Sequence, residues 1–447
     1  MNRISRPSCR HRKSYSPYFK FIYKVFRKQN LKVDMTDKPF ELVILNQYYI
    51  PDVASTGHLL SELANESSQR GVSVRVITSF PSYGPPESWK PCQANEVGKN
   101  ISIRRLRTTR FTKDRIFGRI VNSMTFILPL FLRQLFSPPG RKVHLYTTNP
   151  PFLAIIGAVV SLIRRHHYVV LLHDSYPQIA VWSGKVKKNG LIEKVWHLVN
   201  RLIYKRAQQT IVLCVRAKDL ICSTYGVDPN RVHVIHNWAD PKIIFPKDKN
   251  TSEFAKRHGF NKKFTVLYSG NLGLYYEFES LLNAAEKLQG DPDFGLVFIG
   301  AGGKKNWLDE QIKKRNLKNT YLFPYQPFET LNDSLNSCDA SLVTIAKDIE
   351  GISFPSKLYS SLAVGKPIIA ISESGSELQT MLKDSGAGIW VPLGDVEALV
   401  TAILRIRDDV PLQQKMSWAA REAMEMNYTI QAATDKYLRV LRLAVEG

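Results

Sequence analysis

From about residue 39 the chain alternates short apolar runs with stretches whose apolar positions recur every three or four residues. The runs predict strands at 41–46, 73–78, 101–106, 143–147, 168–173, 209–214 and 232–236. The periodic stretches predict helices at 56–70, 115–136, 151–165, 191–207 and 216–225. The rhythm breaks over 237–263, a charged stretch with two prolines. It resumes with strands at 264–270, 294–300, 320–323, 340–345, 367–371 and 387–391, separated by helices. Apolar strands alternating with helices predict an α/β fold with parallel sheets covered on both faces. The expected domains are 39–240 and 264–427, joined by a linker at 241–263. A last helix follows at 428–447, and a basic, disordered extension precedes at 1–38.

At 447 residues and 44% hydrophobic, the chain is long enough for two large domains with sizeable cores. Five scattered cysteines with no CxxC pair exclude a disulfide framework and argue for a reducing compartment. Neither the cysteines nor the histidines have the spacing of metal ligands, so no metal and no cofactor is expected.

The net charge of +23 changes the picture because it is concentrated. Residues 1–38 carry +9, residues 99–142 carry +10 and residues 185–206 carry +6. Two of these blocks are interleaved with apolar side chains, which favours an anionic membrane surface over nucleic acid. No segment reads as membrane-spanning: 116–136 carries Arg119, Asn122, Pro129 and Arg133, and 151–163 is too short. The first 38 residues lack the apolar core of a signal peptide. A cytoplasmic protein touching the inner leaflet is expected.

Ligands of such sheets bind off the carboxyl ends of the strands. That rule gathers Gly270-Asn271-Leu272-Gly273, Gly300-Ala-Gly-Gly303, the loop after Phe323, and the loop 346–355 on one rim of the second domain. It puts Gln47–Gly57 and His173-Asp174 on the rim of the first. Glycines let backbone N–H groups approach a phosphate or a sugar. Pro355 suits the first turn of a helix, with Ser353, Ser356, Lys357 and Leu358 around its start and Gly365 at its end. Such a helix start suits a diphosphate, and Lys357 can neutralise a departing phosphate. Ser55, Thr56 and Gly57 either hold an anion or cap a helix. His173 and Asp174 are acid/base candidates or a structural turn, and Glu350 either accepts from sugar hydroxyls or is solvated. Asp339 reads as a turn residue.

Five motifs in this order resemble glycosyltransferase family 4, the retaining enzymes of the GT-B fold. They are Tyr49-Ile-Pro-Asp52 with Thr56-Gly57, His173-Asp-Ser-Tyr-Pro177, Tyr268-Ser-Gly-Asn-Leu-Gly273, Phe354-Pro-Ser-Lys-Leu-Tyr359, and Leu362-Ala-Val-Gly-Lys-Pro367. Within the family, bacterial colanic acid and exopolysaccharide enzymes are the nearest likeness. The resemblance implies two facing Rossmann-like domains and a final helix crossing back to the first. It implies acceptor binding in the first domain and nucleotide-sugar binding in the second, through Gly270, Asn271, Gly273, Gly300, Gly351, Ser353, Pro355, Ser356 and Leu358. Lys357 would meet the donor diphosphate, with the base near Phe323 and Tyr325, and no divalent metal would be needed. The acceptor would be a saccharide, carried on a polyprenyl diphosphate. Two positions depart from the family pattern. Ser360 stands where a second glutamate is usual, and 274–279 lacks the usual basic residue. A sugar-nucleotide epimerase shares the two-domain fold and is the competing expectation; a basic nucleic-acid-binding protein is a second.

Overall fold

The computed structural model describes residues 38–52, 54–83, 87, 89–111 and 116–446. The extension expected at 1–38 lies outside them, Lys38 excepted.

The first sheet runs β3-β4-β2-β1-β5-β6-β7-β8. Its strands are β1 (Glu41–Leu45), β2 (Ser73–Ser79), β3 (Asn95–Gly98), β4 (Ile101–Leu106), β5 (Lys142–Thr147), β6 (Tyr168–Leu172), β7 (Gln209–Val212) and β8 (Val232–Val234). All neighbours are parallel except β3, which runs antiparallel to β4 with Asn95 opposite Arg104. The apolar pattern does not announce β3, because its four residues include one apolar side chain, Val97. The second sheet runs β11-β10-β9-β12-β13-β14, all parallel. It comprises β9 (Phe264–Ser269), β10 (Phe294–Ile299), β11 (Thr320–Phe323), β12 (Ala340–Thr344), β13 (Ile368–Ser372) and β14 (Gly388–Pro392). Central strands are apolar throughout because helices cover both faces: every residue of β6 and of β10 is buried.

On one face of the first sheet, Phe126, Ile127 and Leu130 of the helix Ile116–Leu135 pack in a cluster with Val43, Leu45 and Ile77. On the other, Leu60 and Leu63 of the helix Ser55–Gln69 share a cluster with Tyr437, Leu438 and Leu441 of the final helix, Ile430–Glu446. The last helix therefore packs on the first domain. Arg70 pairs with Asp435 there, and Arg141 with Glu446 at 3.5 Å.

The stretch expected to be a linker, 241–263, is structured in its second half. Ser252 accepts the Ala255 N–H at 3.1 Å and so starts the helix Glu253–Arg257. Phe254 and Phe260 then pack in a cluster with Leu267, Val297 and Ile299 of the second sheet. Asp339, read as a turn residue, has a further task. It accepts the Thr265 N–H at 2.7 Å and pairs with Lys249.

Candidate active site

The two glycine turns of the second domain lie against each other. Leu272 N–H donates to Ala301 O and Lys304 N–H to Leu272 O, both at 2.8 Å. Gly300 makes this approach possible, since a Cβ there would stand 1.9 Å from the Gly270 carbonyl oxygen. Asn271 and Gly273 sit at the outer bend of the same turn.

Lys357 opens the helix Lys357–Ala363, with Ser356 as its N-cap. Pro355 therefore precedes the helix, two places before its first residue, and its missing N–H costs nothing there. Ser356 makes no side-chain cap bond. Leu358 is fully buried in the apolar cluster beneath. The Lys357 ammonium is buried too, and its Nζ lies 4.5 Å from the Tyr268 ring centre and 3.4 Å from that of Tyr276. Its Cε would lie 3.2 Å from a Cβ on Gly270. Among the described residues no carboxylate pairs with it, and burial lowers its pKa well below the usual lysine range. Ring faces attract a cation without neutralising it. The site thus holds a buried lysine between the Gly270 turn and the start of the helix Lys357–Ala363.

The rim of the first domain meets this one directly. Ser353 Oγ donates to Asp174 Oδ1 at 2.9 Å, and Ser175 N–H donates to Ile352 O at 2.8 Å. Ser175 Oγ donates to Gly351 O at 3.1 Å, and Trp182 Nε1–H to Lys347 O at 3.0 Å. Gly351 has φ +81° and leaves no room for a side chain, since a Cβ would stand 3.1 Å from Arg216 backbone. Thr148 Oγ1 accepts the His173 N–H at 3.2 Å and the Asp174 N–H at 3.4 Å, holding the turn. Burial raises the Asp174 carboxyl against the opposing pull of its Ser353 bond. Burial also holds the His173 imidazole down to about 4, and its Nε2 is buried without a hydrogen-bond partner. His173 is thus a neutral side chain with an unused ring nitrogen at the cleft.

Comparison with known proteins decides what this cleft belongs to. Residues 57–243 match the model described as Glycosyltransferase Family 4, and residues 250–423 that of Glycosyl transferases group 1. A protein of Escherichia coli (strain K12) named as a colanic acid biosynthesis glycosyl transferase, WcaI, is 31% identical over 432 residues, 90% of this chain and 100% of that one. The chain belongs to glycosyltransferase family 4. A second relative, named as the glycosyltransferase WbjE of Pseudomonas aeruginosa, is 25% identical over 408 residues, 90% of this chain and 97% of that protein. The fold is GT-B. Sucrose-phosphate synthase from Thermosynechococcus elongatus superposes with a TM-score of 0.70 at 14% identity, covering 90% of this chain and 98% of that one. Anabaena HepE, solved in complex with UDP, superposes with 0.67 at 14% identity, covering 90% and 99%.

Other expected site residues of this glycosyltransferase fall in different surroundings. Glu350 turns away from the tyrosine-lined lysine: its Oε1 accepts the Glu377 N–H at the start of the helix Glu377–Ser385. Ser360 Oγ donates back to Lys357 O at 2.9 Å, so it serves the helix. The Phe323 ring packs against His258 at 4.5 Å and Phe254 at 5.2 Å, facing the second domain's own core. Tyr325 is exposed at the rim and close enough to raise the phenols of Tyr268 and Tyr276. Ser55 and Thr56 open the helix Ser55–Gln69, whose N-cap is Ala54 and makes no side-chain cap bond, so neither residue caps it. Gly57 fits because a Cβ there would press on Tyr49 Cα at 3.0 Å. Pattern reading overlooked Tyr268, Tyr276, Thr148 and Arg119. Burial raises the phenols of Tyr48, Tyr176 and Tyr275, and the charge of Arg119 on the helix Ile116–Leu135 opposes that rise.

Glu377 joins the domains behind the cleft. Its Oε2 accepts the Val215 N–H, and its Oε1 lies 3.5 Å from His236 Nε2. His236 Nδ1 lies 2.9 Å from the Leu213 carbonyl, which places the imidazole proton on Nδ1 and leaves Nε2 an acceptor. Burial, with the Glu350 charge, pushes the Glu377 carboxyl up to about 7, and burial holds His236 down to about 4. Both shifts favour a neutral pair, with a protonated Glu377 facing the His236 acceptor. A carboxyl raised on folding stabilises the fold below its unfolded pKa and loses that contribution as pH rises through the folded value. Glu377→Gln is therefore expected to gain about 2–3 kcal/mol relative to the parent between pH 5 and pH 8. Denaturant titrations at the two pH values check this; an equal difference at both contradicts it.

Proposed function

We propose that this glycosyltransferase moves a sugar from a nucleotide-sugar to a polyprenyl-diphosphate-linked saccharide in polysaccharide assembly, with retention of anomeric configuration and without a divalent metal. The carrying observation is Lys357, a buried lysine on two tyrosine rings beside Gly270, with no carboxylate partner among the described residues. A diphosphate supplies the missing negative charge, and the glycine turns admit its oxygens to backbone N–H groups. The complexes of HepE with UDP and with UDP-glucose support the donor class.

In this reading the C1–O bond to the diphosphate lengthens while the acceptor oxygen approaches from the same face. The departing phosphate oxygen takes the acceptor proton, so no protein nucleophile is required. Lys357 stabilises the charge that develops on that oxygen. Asp174, fixed by Ser353, and the neutral His173 orient sugar and acceptor hydroxyls. Tyr325 offers an exposed ring for the base.

The acceptor would come from the cytoplasmic leaflet of the inner membrane. Among the described residues no helix is long and apolar enough to cross a membrane. The helix Ile116–Leu135 nonetheless exposes Phe117, Ile120, Leu128 and Leu132 along one stripe. The helix Leu191–Arg206 exposes Leu191, Ile192, Val195 and Leu198. With the basic blocks around them, these stripes suit an anionic interface.

A panel of UDP-, GDP- and ADP-sugars, with a lipid-linked saccharide and with EDTA, tests the proposal. One donor is expected to be consumed only when the acceptor is present, EDTA is expected to have no effect, and NMR of the product is expected to show the donor's anomeric configuration. Donor isomerisation without acceptor would instead favour an epimerase, and an inverted product would overturn retention.

A further inference from the structure

Away from the cleft, the first sheet carries a groove of about 500 Å³ on the face of β1, β2, β4 and β5, beyond the last turn of the helix Ile116–Leu135. Arg75, Arg104, Arg133 and Lys142 line it together with Glu96, whose carboxylate pairs with Arg105, and Gln134 and Phe136 lie along its edge. Arg75 and Lys142 share Glu41, at 2.8 and 3.6 Å. Arg104 and Arg133 have no ion-pair partner among the described residues. Partial burial and the charge of Arg104 together weaken the Arg133 guanidinium. Two guanidiniums that repel each other across an open groove are stabilised by an anion between them, and a phosphate offers both a bidentate match. Gln134 is 4% exposed with an unsatisfied side-chain oxygen in the same wall; turning its amide over presents an NH2 group instead.

The surroundings say which phosphate fits. Phe136 is 76% exposed at the groove edge, and Leu132 and Leu128 continue from it along the helix. An inorganic phosphate gains nothing from that apolar border, whereas a lipid brings acyl chains to it. We propose that this groove binds the headgroup phosphate of an anionic phospholipid, as a docking site separate from the transfer cleft. The inference rests on the reading of the helix Ile116–Leu135 as a membrane-docking helix. It assigns to one pair of arginines what a diffuse basic surface would spread over many.

Co-sedimentation with vesicles of phosphatidylcholine alone and of equimolar phosphatidylcholine and phosphatidylglycerol tests it. The double variant Arg104→Gln/Arg133→Gln is expected to bind the anionic vesicles about thirtyfold more weakly than the parent. Its turnover on a soluble acceptor and its melting temperature are expected to be unchanged. Lys187→Gln/Lys188→Gln removes the same charge from exposed positions outside the groove and is expected to lose less than fivefold. Equal losses in both double variants would show a diffuse field and overturn the site. Undiminished binding by the arginine variant would overturn the site alone, and a parent that binds neither vesicle would overturn the docking reading with it. A saturable rise in melting temperature with inorganic phosphate, absent from the arginine variant, would assign the groove to a free anion and overturn the lipid assignment.

Discussion

Replacing Lys357 with methionine is expected to lower kcat by about a hundred- to a thousandfold while raising the melting temperature. The two effects have one origin. The ammonium is buried on the rings of Tyr268 and Tyr276, and no carboxylate among the described residues pairs with it. A buried ion costs several kcal/mol, and each desolvated ring returns about 2 kcal/mol. Methionine has a similar length and no charge to bury, so the variant gains about 1 kcal/mol of stability. In the proposed function, the charge that destabilises the empty protein is the one that meets the departing phosphate. Because burial lowers the ammonium's pKa, it loses its proton below the usual lysine range, and donor affinity of the parent is expected to fall as pH rises through that lowered value. The methionine variant should show no such fall. Steady-state kinetics with thermal melting checks the pair of effects. Unchanged turnover, or a marked loss of stability, would contradict this account of Lys357.

Gly300→Ala is expected to be the most damaging single methyl group at the cleft. The added Cβ would stand 1.9 Å from the Gly270 carbonyl oxygen, a backbone atom that cannot swing aside. The turns must part, breaking the bonds between Leu272 and Ala301 and between Lys304 and Leu272. A cost of about 3 kcal/mol is expected from the overpacking. Donor KM should rise at least tenfold as well, if the displaced turns carry the N–H groups that the proposed function aims at the phosphates. Gly290→Ala, where a Cβ meets nothing within 4 Å, is the control and should be neutral. Chemical denaturation and donor titration of both variants test this. Wild-type donor affinity in Gly300→Ala would remove the glycine turns from the site.

Much of the architecture was legible along the chain because parallel strands covered on both faces are apolar without interruption. β6 and β10 stand out for that reason, and so do the turns at their carboxyl ends. β3 was not legible, since an edge strand with one solvent-facing side carries little pattern. Lys357, Gly270 and Asp174 could be placed on the right rims from topology alone. What those side chains touch could not. The bond between Asp174 and Ser353 spans 179 residues of sequence. Tyr268 and Tyr276 read as ordinary core aromatics, although their faces carry the lysine. Glu350 turns toward Glu377 because a helix start lies within its reach, and nothing near Glu350 in the sequence announces that helix. Helix starts were likewise legible only to within a residue or two: the helix expected to open at Pro355 starts at Lys357, and the cap expected at Ser55 or Thr56 falls on Ala54.

The central claim is that Lys357 receives the diphosphate of a nucleotide-sugar during transfer to a lipid-linked acceptor. The most direct measurement is single-turnover transfer of a radiolabelled sugar from the preferred nucleotide-sugar to a polyprenyl-diphosphate saccharide, by the parent and by Lys357→Met. The account predicts label in the lipid fraction with the parent, and about a hundredfold or greater slowing in a variant that melts at an equal or higher temperature. Equal rates in the two proteins would contradict it.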